Sequence, residues 1–238
     1  MASTATSPQL RQLAPELWLI DHPFKVMGAC LGTRSSLVRL ADGGIWLLAP
    51  GPELAALKTQ IDALGPITAL VAPNTMHHLY LPDAARLFPT ARVYGPEGLR
   101  PKQPGLDLNL PEQAPWAAEL PMLLLKGFGP LEERAFYHPA SRSLLLTDLV
   151  FNIQSSDHAW TRLFMSLNDG YGKFGPTRIC RSLIKDKALM GQTLARLLEW
   201  DFERVVMAHG EVLERGGPQA LRQAFERIGV STPTTVLR

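Results

Sequence analysis

The sequence predicts an α/β fold in which two half-buried sheets face each other and helices cover their outer sides. Three observations carry this. Short apolar runs of strand length recur along the chain, and stretches with helical spacing fall between them. Their order is a β-meander, a βαβ unit, a second β-meander, then helix, strand and helix. The 20 prolines cut the chain into many short elements. Sheets apolar on one face, with helices outside, bury all of these faces at once.

Residues 1–14 read as a polar, poorly ordered lead-in, and residues 15–238 as a single domain. Strands are expected over 16–20, 36–40 and, after the turn signal Asp42-Gly43-Gly44, over 45–48. Leu54, Leu57, Ile61 and Leu64 then recur at helical spacing behind Pro52, and Gly65-Pro66 ends that helix. A buried strand over 67–72 completes a βαβ unit, for which a right-handed crossover is expected. A helix over 81–88 and a strand over 92–94 follow. Residues 95–121 are dense in proline and lack a period, so they read as a surface excursion that could cover a site. Three strands are expected over 122–126, 132–138 and 143–147. Residues 152–176 read as irregular and, with 95–121, as pocket wall. Residues 179–200 are mostly helical, with Leu183, Leu189, Leu194, Leu197 and Leu198 on the apolar face. A last strand over 204–208 and an amphipathic helix over 219–228 close the chain.

Composition narrows the function. With 24 Lys and Arg against 22 Asp and Glu the net charge is +2, which argues against a nucleic-acid surface. Cys30 and Cys180 stand in unrelated contexts, with no CxxC or finger spacing, so a reducing cytoplasm is expected. The N-terminus lacks the pattern of a signal peptide, and no apolar run approaches the roughly 18 residues of a membrane span. The expected partner is a small-molecule substrate, not a nucleic acid or a membrane. No phosphate-cradling GxxxxGK[ST] and no GxSxG nucleophile elbow occurs.

Four metal-capable side chains stand where strands should end: His77 and His78 beyond the 67–72 strand, Asp148 in SLLLTDLVF, and His209 in RVVMAHGEV. Loops carried by a rigid sheet are where binding chemistry collects. Imidazole nitrogens and a carboxylate oxygen suit one divalent ion, zinc first, with iron and manganese as alternatives. Adjacent side chains in extended backbone point opposite ways, so His77 and His78 can share an ion only if the loop bends. Taken singly, each residue has an ordinary role: Asp148 can bond loop amides, and His209 can be a plain loop histidine. His22 and His138 read as surface histidines. Arg178, Arg181 and Lys185 form a basic stripe that reads as a solvated helix face, or as a seat for an anionic group.

These positions resemble the metallo-β-lactamase superfamily, whose first motif is a strand followed by His-x-His-x-Asp-His. Here the strand runs into Pro73-Asn74-Thr75-Met76-His77-His78. Pro73 and Thr75 stand at the first two histidines, His77 at the aspartate and His78 at the last histidine. Phe128 takes the place of the family's turn histidine, Asp148 that of the carboxylate ending the next strand, and His209 that of the final histidine. Ala49 stands where Leu-Ile-Asp-Thr-Gly has its aspartate. The resemblance implies an αββα four-layer sandwich with two mixed β-sheets. It also implies that one metal half-site is erased, at Pro73, Thr75 and Phe128, while the other keeps His77, His78, Asp148 and His209.

The function implied is a mononuclear metal-dependent hydrolase with those four residues as ligands and Asp148 and His78 as catalytic groups. Four protein ligands on zinc would close the site, and catalysis needs an open position. The competing reading is a non-catalytic binding or scaffold protein that kept the fold and lost the metal. A third is an oxygen-handling iron site.

Overall fold

The computed structural model describes residues 8–233. Its larger sheet has seven strands, in the order Gln9–Ala14, Leu17–His22, Thr33–Arg39, Ile45–Leu48, Ile67–Val71, Arg92–Tyr94 and Leu108–Asn109. The first four pair antiparallel as a meander. From Ile45–Leu48 onward the neighbours are parallel, because each connection crosses back over one face. The smaller sheet runs Met122–Leu124, Arg134–His138, Ser143–Leu145 and Arg204–Val206, the last parallel to its neighbour.

Alternation along the strands sorts side chains into layers. Leu17, Leu19, Trp46, Leu48 and Val71 of the larger sheet meet Phe136, Leu145 and Val206 of the smaller one in a shared core. Their neighbours point the other way. Ile45, Leu47 and Leu70 meet Leu54, Ile61 and Leu81 of the helices on one outer face. Leu144 and Val205 meet Met190, Leu194, Leu221 and Phe225 on the other. Trp46 and Phe136 touch edge to face at 5.0 Å across the two sheets, each fully buried.

Several expectations change. Within the expected lead-in, Gln9–Ala14 is an edge strand paired with Leu17–His22. Its polar side chains face solvent, and main-chain hydrogen bonds do the ordering. Residues 1–7 of that lead-in lie outside the described residues. The segment 52–64 divides into a 3-10 turn, Leu54–Leu57, and a short helix, Lys58–Asp62. The expected 179–200 helix is two, Arg178–Leu183 and Lys187–Leu197, because Thr177 and Asp186 each cap a new N-terminus. The irregular stretch 152–176 contains a helix, Ala159–Leu167. The proline-rich excursion adds the seventh strand and buries Trp116 against Trp46. His22 and His138 are buried, not exposed. No helix among the described residues is long and apolar enough to cross a membrane.

Candidate metal centre

The strands Ile67–Val71, Ser143–Leu145 and Arg204–Val206 deliver the site residues in the loops beyond their C-terminal ends. Beyond Val71 the chain bends at Asn74, whose Oδ1 accepts the amides of Met76 and His77 at 2.8 and 2.9 Å. This side-chain-closed turn separates the two adjacent histidines. His77 faces inward. His78 faces away, its Nδ1 accepting from Gln103 Nε2 at 2.8 Å. The bend therefore turns the two neighbouring imidazoles apart, and His78 is not among the side chains that converge with Asp148.

The remaining three converge. One ligand atom each from His77, Asp148 and His209 lie within 4.8 Å of one another. Asp148 Oδ1 stands 3.3 Å from His77 Nε2 and 3.5 Å from His209 Nε2. Its other oxygen accepts from Asn74 Nδ2 at 2.8 Å, which aims Oδ1 at the imidazoles. His209 Nδ1 lies 2.6 Å from the Gly32 carbonyl. A carbonyl only accepts, so Nδ1 carries a hydrogen and Nε2 is the ring atom turned to the site. The ring is stacked on Phe151 at 4.8 Å. The next residue must be glycine: Gly210 has φ +96°, and a Cβ there would lie 2.3 Å from the backbone of Asn152.

A lone pair aimed at a carboxylate is repulsive unless a proton or a cation lies between them. The three atoms therefore suit a divalent ion by chemistry as well as by spacing. Burial opposes charge on His77, but the bonded Asp148 carboxylate and Glu133 outweigh it, and its pKa rises. Burial likewise opposes the Asp148 carboxylate, and His77 with His209 outweighs it, so its pKa falls. Glu133 is driven up, first by burial and then by the Asp148 charge.

Glu133 and Asn74 were not legible as site residues. Glu133 is completely buried, and its Oε1 accepts the amides of Thr147, Asp148 and Leu149 at 3.0, 3.0 and 3.2 Å. It shapes the loop that carries Asp148. In the sequence it sits beside Glu132 and Arg134 and reads as a charged strand edge; only its place in an expected strand hinted at burial. Asn74 lay inside the motif but in one of its variable positions.

The erased half-site is filled. Phe128 is buried in the outer core, and Thr75 Oγ1 donates to the Pro130 carbonyl at 3.2 Å. Ala49 packs in the inner core with φ +50°, its carbonyl accepting from Ser35 Oγ. Arg181 pairs with Asp169, and none of Arg178, Arg181 or Lys185 lines the pocket over the triad. That pocket, of about 230 Å³, is walled by the 24–33 segment and by the Ala159–Leu167 and Arg178–Leu183 helices. Residues 95–121 take no part in it.

The family described as Domain of unknown function (DUF4336) matches residues 15–167, more than half of the chain. The chain belongs to the DUF4336 family. The matched stretch carries His77 and Asp148 and ends before His209. No curated protein matches this DUF4336 chain. Solved structures do. A metallo-β-lactamase from Erythrobacter litoralis with beta mercaptoethanol in the active site is 14% identical, with 94% of this chain and 99% of that one covered and a TM-score of 0.66. A metallo-β-lactamase from Pontibacter korlensis is 14% identical, over 92% and 99% of the two chains, at 0.63. The metallo-β-lactamase FIM-1 from Pseudomonas aeruginosa in the mono-zinc form is 12% identical, over 96% and 99%, at 0.62. This DUF4336 protein has the metallo-β-lactamase fold, in a sequence that has diverged far from these enzymes.

Proposed function

We propose that this protein is a hydrolase using one divalent metal ion, zinc in the first instance, held by His77 Nε2, Asp148 Oδ1 and His209 Nε2. The observation that carries the proposal is the convergence of these atoms within 4.8 Å, with the His209 tautomer set by Gly32. Two imidazoles and one carboxylate form a three-ligand zinc set of the catalytic kind, which leaves a position open. With His78 turned away, the four-ligand closure that would argue for a structural site does not arise. An enzyme of this fold has been crystallised in a mono-zinc form, so one ion is compatible with it. Bound here, the ion would supply a water of lowered pKa and polarise an acyl oxygen. The chain's own groups orient and seclude. Asn74 holds the outer oxygen of Asp148, Gly32 fixes His209, and Phe151 keeps bulk water from its ring face.

Elemental analysis after purification without chelator and reconstitution with zinc tests this. The wild type is expected to retain one equivalent per chain, and His209→Ala and His77→Ala far less. Absence of metal from the wild type would sink the proposal. The non-catalytic reading draws its support from the filled half-site at Pro73, Thr75 and Phe128. It requires zinc-loaded protein to turn over no ester, amide or phosphoester.

A further inference from the structure

We propose that the pocket over the triad takes an uncharged ester with an aliphatic acyl chain, and disfavours carboxylated and phosphorylated substrates. The assignment rests on the hydrolase reading and adds the substrate class. The walls are apolar: Val26 and Leu31 on one side, Phe164 and Met165 on another, Leu183 on a third. Asp148 is the single carboxylate on the lining, and no Lys or Arg among the described residues joins it. With the metal ion engaged by the reacting acyl oxygen, an anionic group elsewhere on the substrate would be desolvated among apolar walls with no protein cation to meet it. Arg11, Lys25 and Arg34 line an adjoining groove instead, and the two arginines are committed to Asp21. Thr33 and Tyr80 add hydroxyls to the lining, while two of its other polar groups are spent internally. Thr177 Oγ1 accepts the Cys180 amide, and Asn168 Nδ2 donates to the Phe164 carbonyl.

The mouth continues the same chemistry. Met76, Leu79 and Ile179 line the pocket, yet are 58%, 59% and 52% exposed. Large hydrophobes held half in water at the rim of an apolar cavity mark a surface that ligand covers. An apolar cavity of roughly 150 Å³ takes the six carbons of benzene, so one of about 230 Å³ holds a chain of roughly nine carbons. The polar end of the molecule then meets His77, Asp148 and His209. Hydrolysis consumes one water. Its oxygen bonds to the acyl carbon, and the bond from that carbon to the ester oxygen breaks. One proton of the water ends on the departing alcohol, and the other is released as the acid ionises.

Two measurements on the full chain test the assignment. The first is binding of methyl ketones of increasing chain length, as uncharged ester isosteres, by calorimetry. The second is turnover by zinc-loaded protein of p-nitrophenyl esters from acetate to laurate, beside p-nitrophenyl phosphate and a chromogenic β-lactam carboxylate. Ketone affinity is expected to rise about threefold to fourfold per methylene and to level off near roughly nine carbons. Ester kcat/KM should follow the same trend, with the anionic substrates poor. Ile179→Lys, at a half-exposed position that tolerates a polar side chain, should weaken the longest ketones about tenfold with the circular dichroism unchanged. Length-dependent ketone binding with no turnover of any substrate would support the pocket assignment and overturn the hydrolase reading. Affinity and turnover indifferent to chain length, or a preference for the phosphate or the β-lactam, would overturn the assignment while hydrolysis stood.

Discussion

Asn74 serves two loops at once. Its carbonyl oxygen closes the turn that points His77 inward, and its amide holds Asp148 at 2.8 Å. Asn74→Ala is expected to weaken zinc binding about 10–100-fold and to cost the metal-free protein roughly 1–3 kcal/mol. Competition with a chelating dye and urea unfolding measure the two effects, and unchanged zinc affinity would remove Asn74 from the site. His22 illustrates a different use of burial. Its Nε2 meets Ser35 Oγ at 2.9 Å, and Gly51 lies so close that a Cβ would be 2.3 Å from the ring. Burial outweighs the Pro52 backbone and Asp21 and lowers its pKa from 6.5 to about 4. Between those two pH values the unfolded chain binds a proton that the folded chain refuses. The stability contributed by neutral His22 is therefore complete above pH 6.5 and is lost as pH falls toward about 4. The full loss is on the order of 3 kcal/mol. Urea midpoints of the wild type should fall more steeply through this window than those of His22→Gln; parallel curves would refute the assignment.

At the scale of elements, the pocket wall depends on where helices begin and end. The break at 184–186 lets Arg178–Leu183 lean Ile179 and Leu183 over the triad, while Lys187–Leu197 packs on the smaller sheet. Asp186 enforces the restart by accepting the Leu189 amide at 2.8 Å. Asp186→Ala should cost about 1 kcal/mol in unfolding experiments and leave the zinc content unchanged, because no ligand lies on either helix. The Ala159–Leu167 helix faces two ways. Thr161, Phe164 and Met165 are buried while Trp160, Leu163 and Leu167 are exposed. With large hydrophobes on both faces its polar stripe narrows to Arg162 and Ser166, too little for a surface helix to stand out in the sequence.

For the molecule as a whole, the two sheets bring together loops far apart in the chain. Their contact centres on Trp46, Trp116 and Phe136, with ring centroids 5.0 to 5.9 Å apart. Phe136→Ala is expected to cost about 3–5 kcal/mol, read as a lower urea midpoint. Because Asp148 sits on the smaller sheet's loops and His77 on the larger sheet's, the same variant should also weaken zinc binding. Full zinc affinity in a destabilised Phe136→Ala protein would mean that the triad does not depend on how the sheets meet.

The sequence by itself determined the layers and the strands that carry the site. The apolar runs at 45–48 and 143–147 and the helical spacing at 219–228 are local patterns, so the segments that must be buried can be read without knowing what buries them. It also set Asp148 and His209 at strand ends. Tertiary structure decided which groups meet. His77 and His78 are equivalent as neighbours in the chain, and only the Asn74 turn and the Gln103 contact separate their roles. Glu133 looks like a surface charge until the amides of three residues beyond the next strand close on it. The strand Gln9–Ala14 has too little apolar surface to announce itself, since an edge is ordered by main-chain bonds to a neighbour that composition does not record.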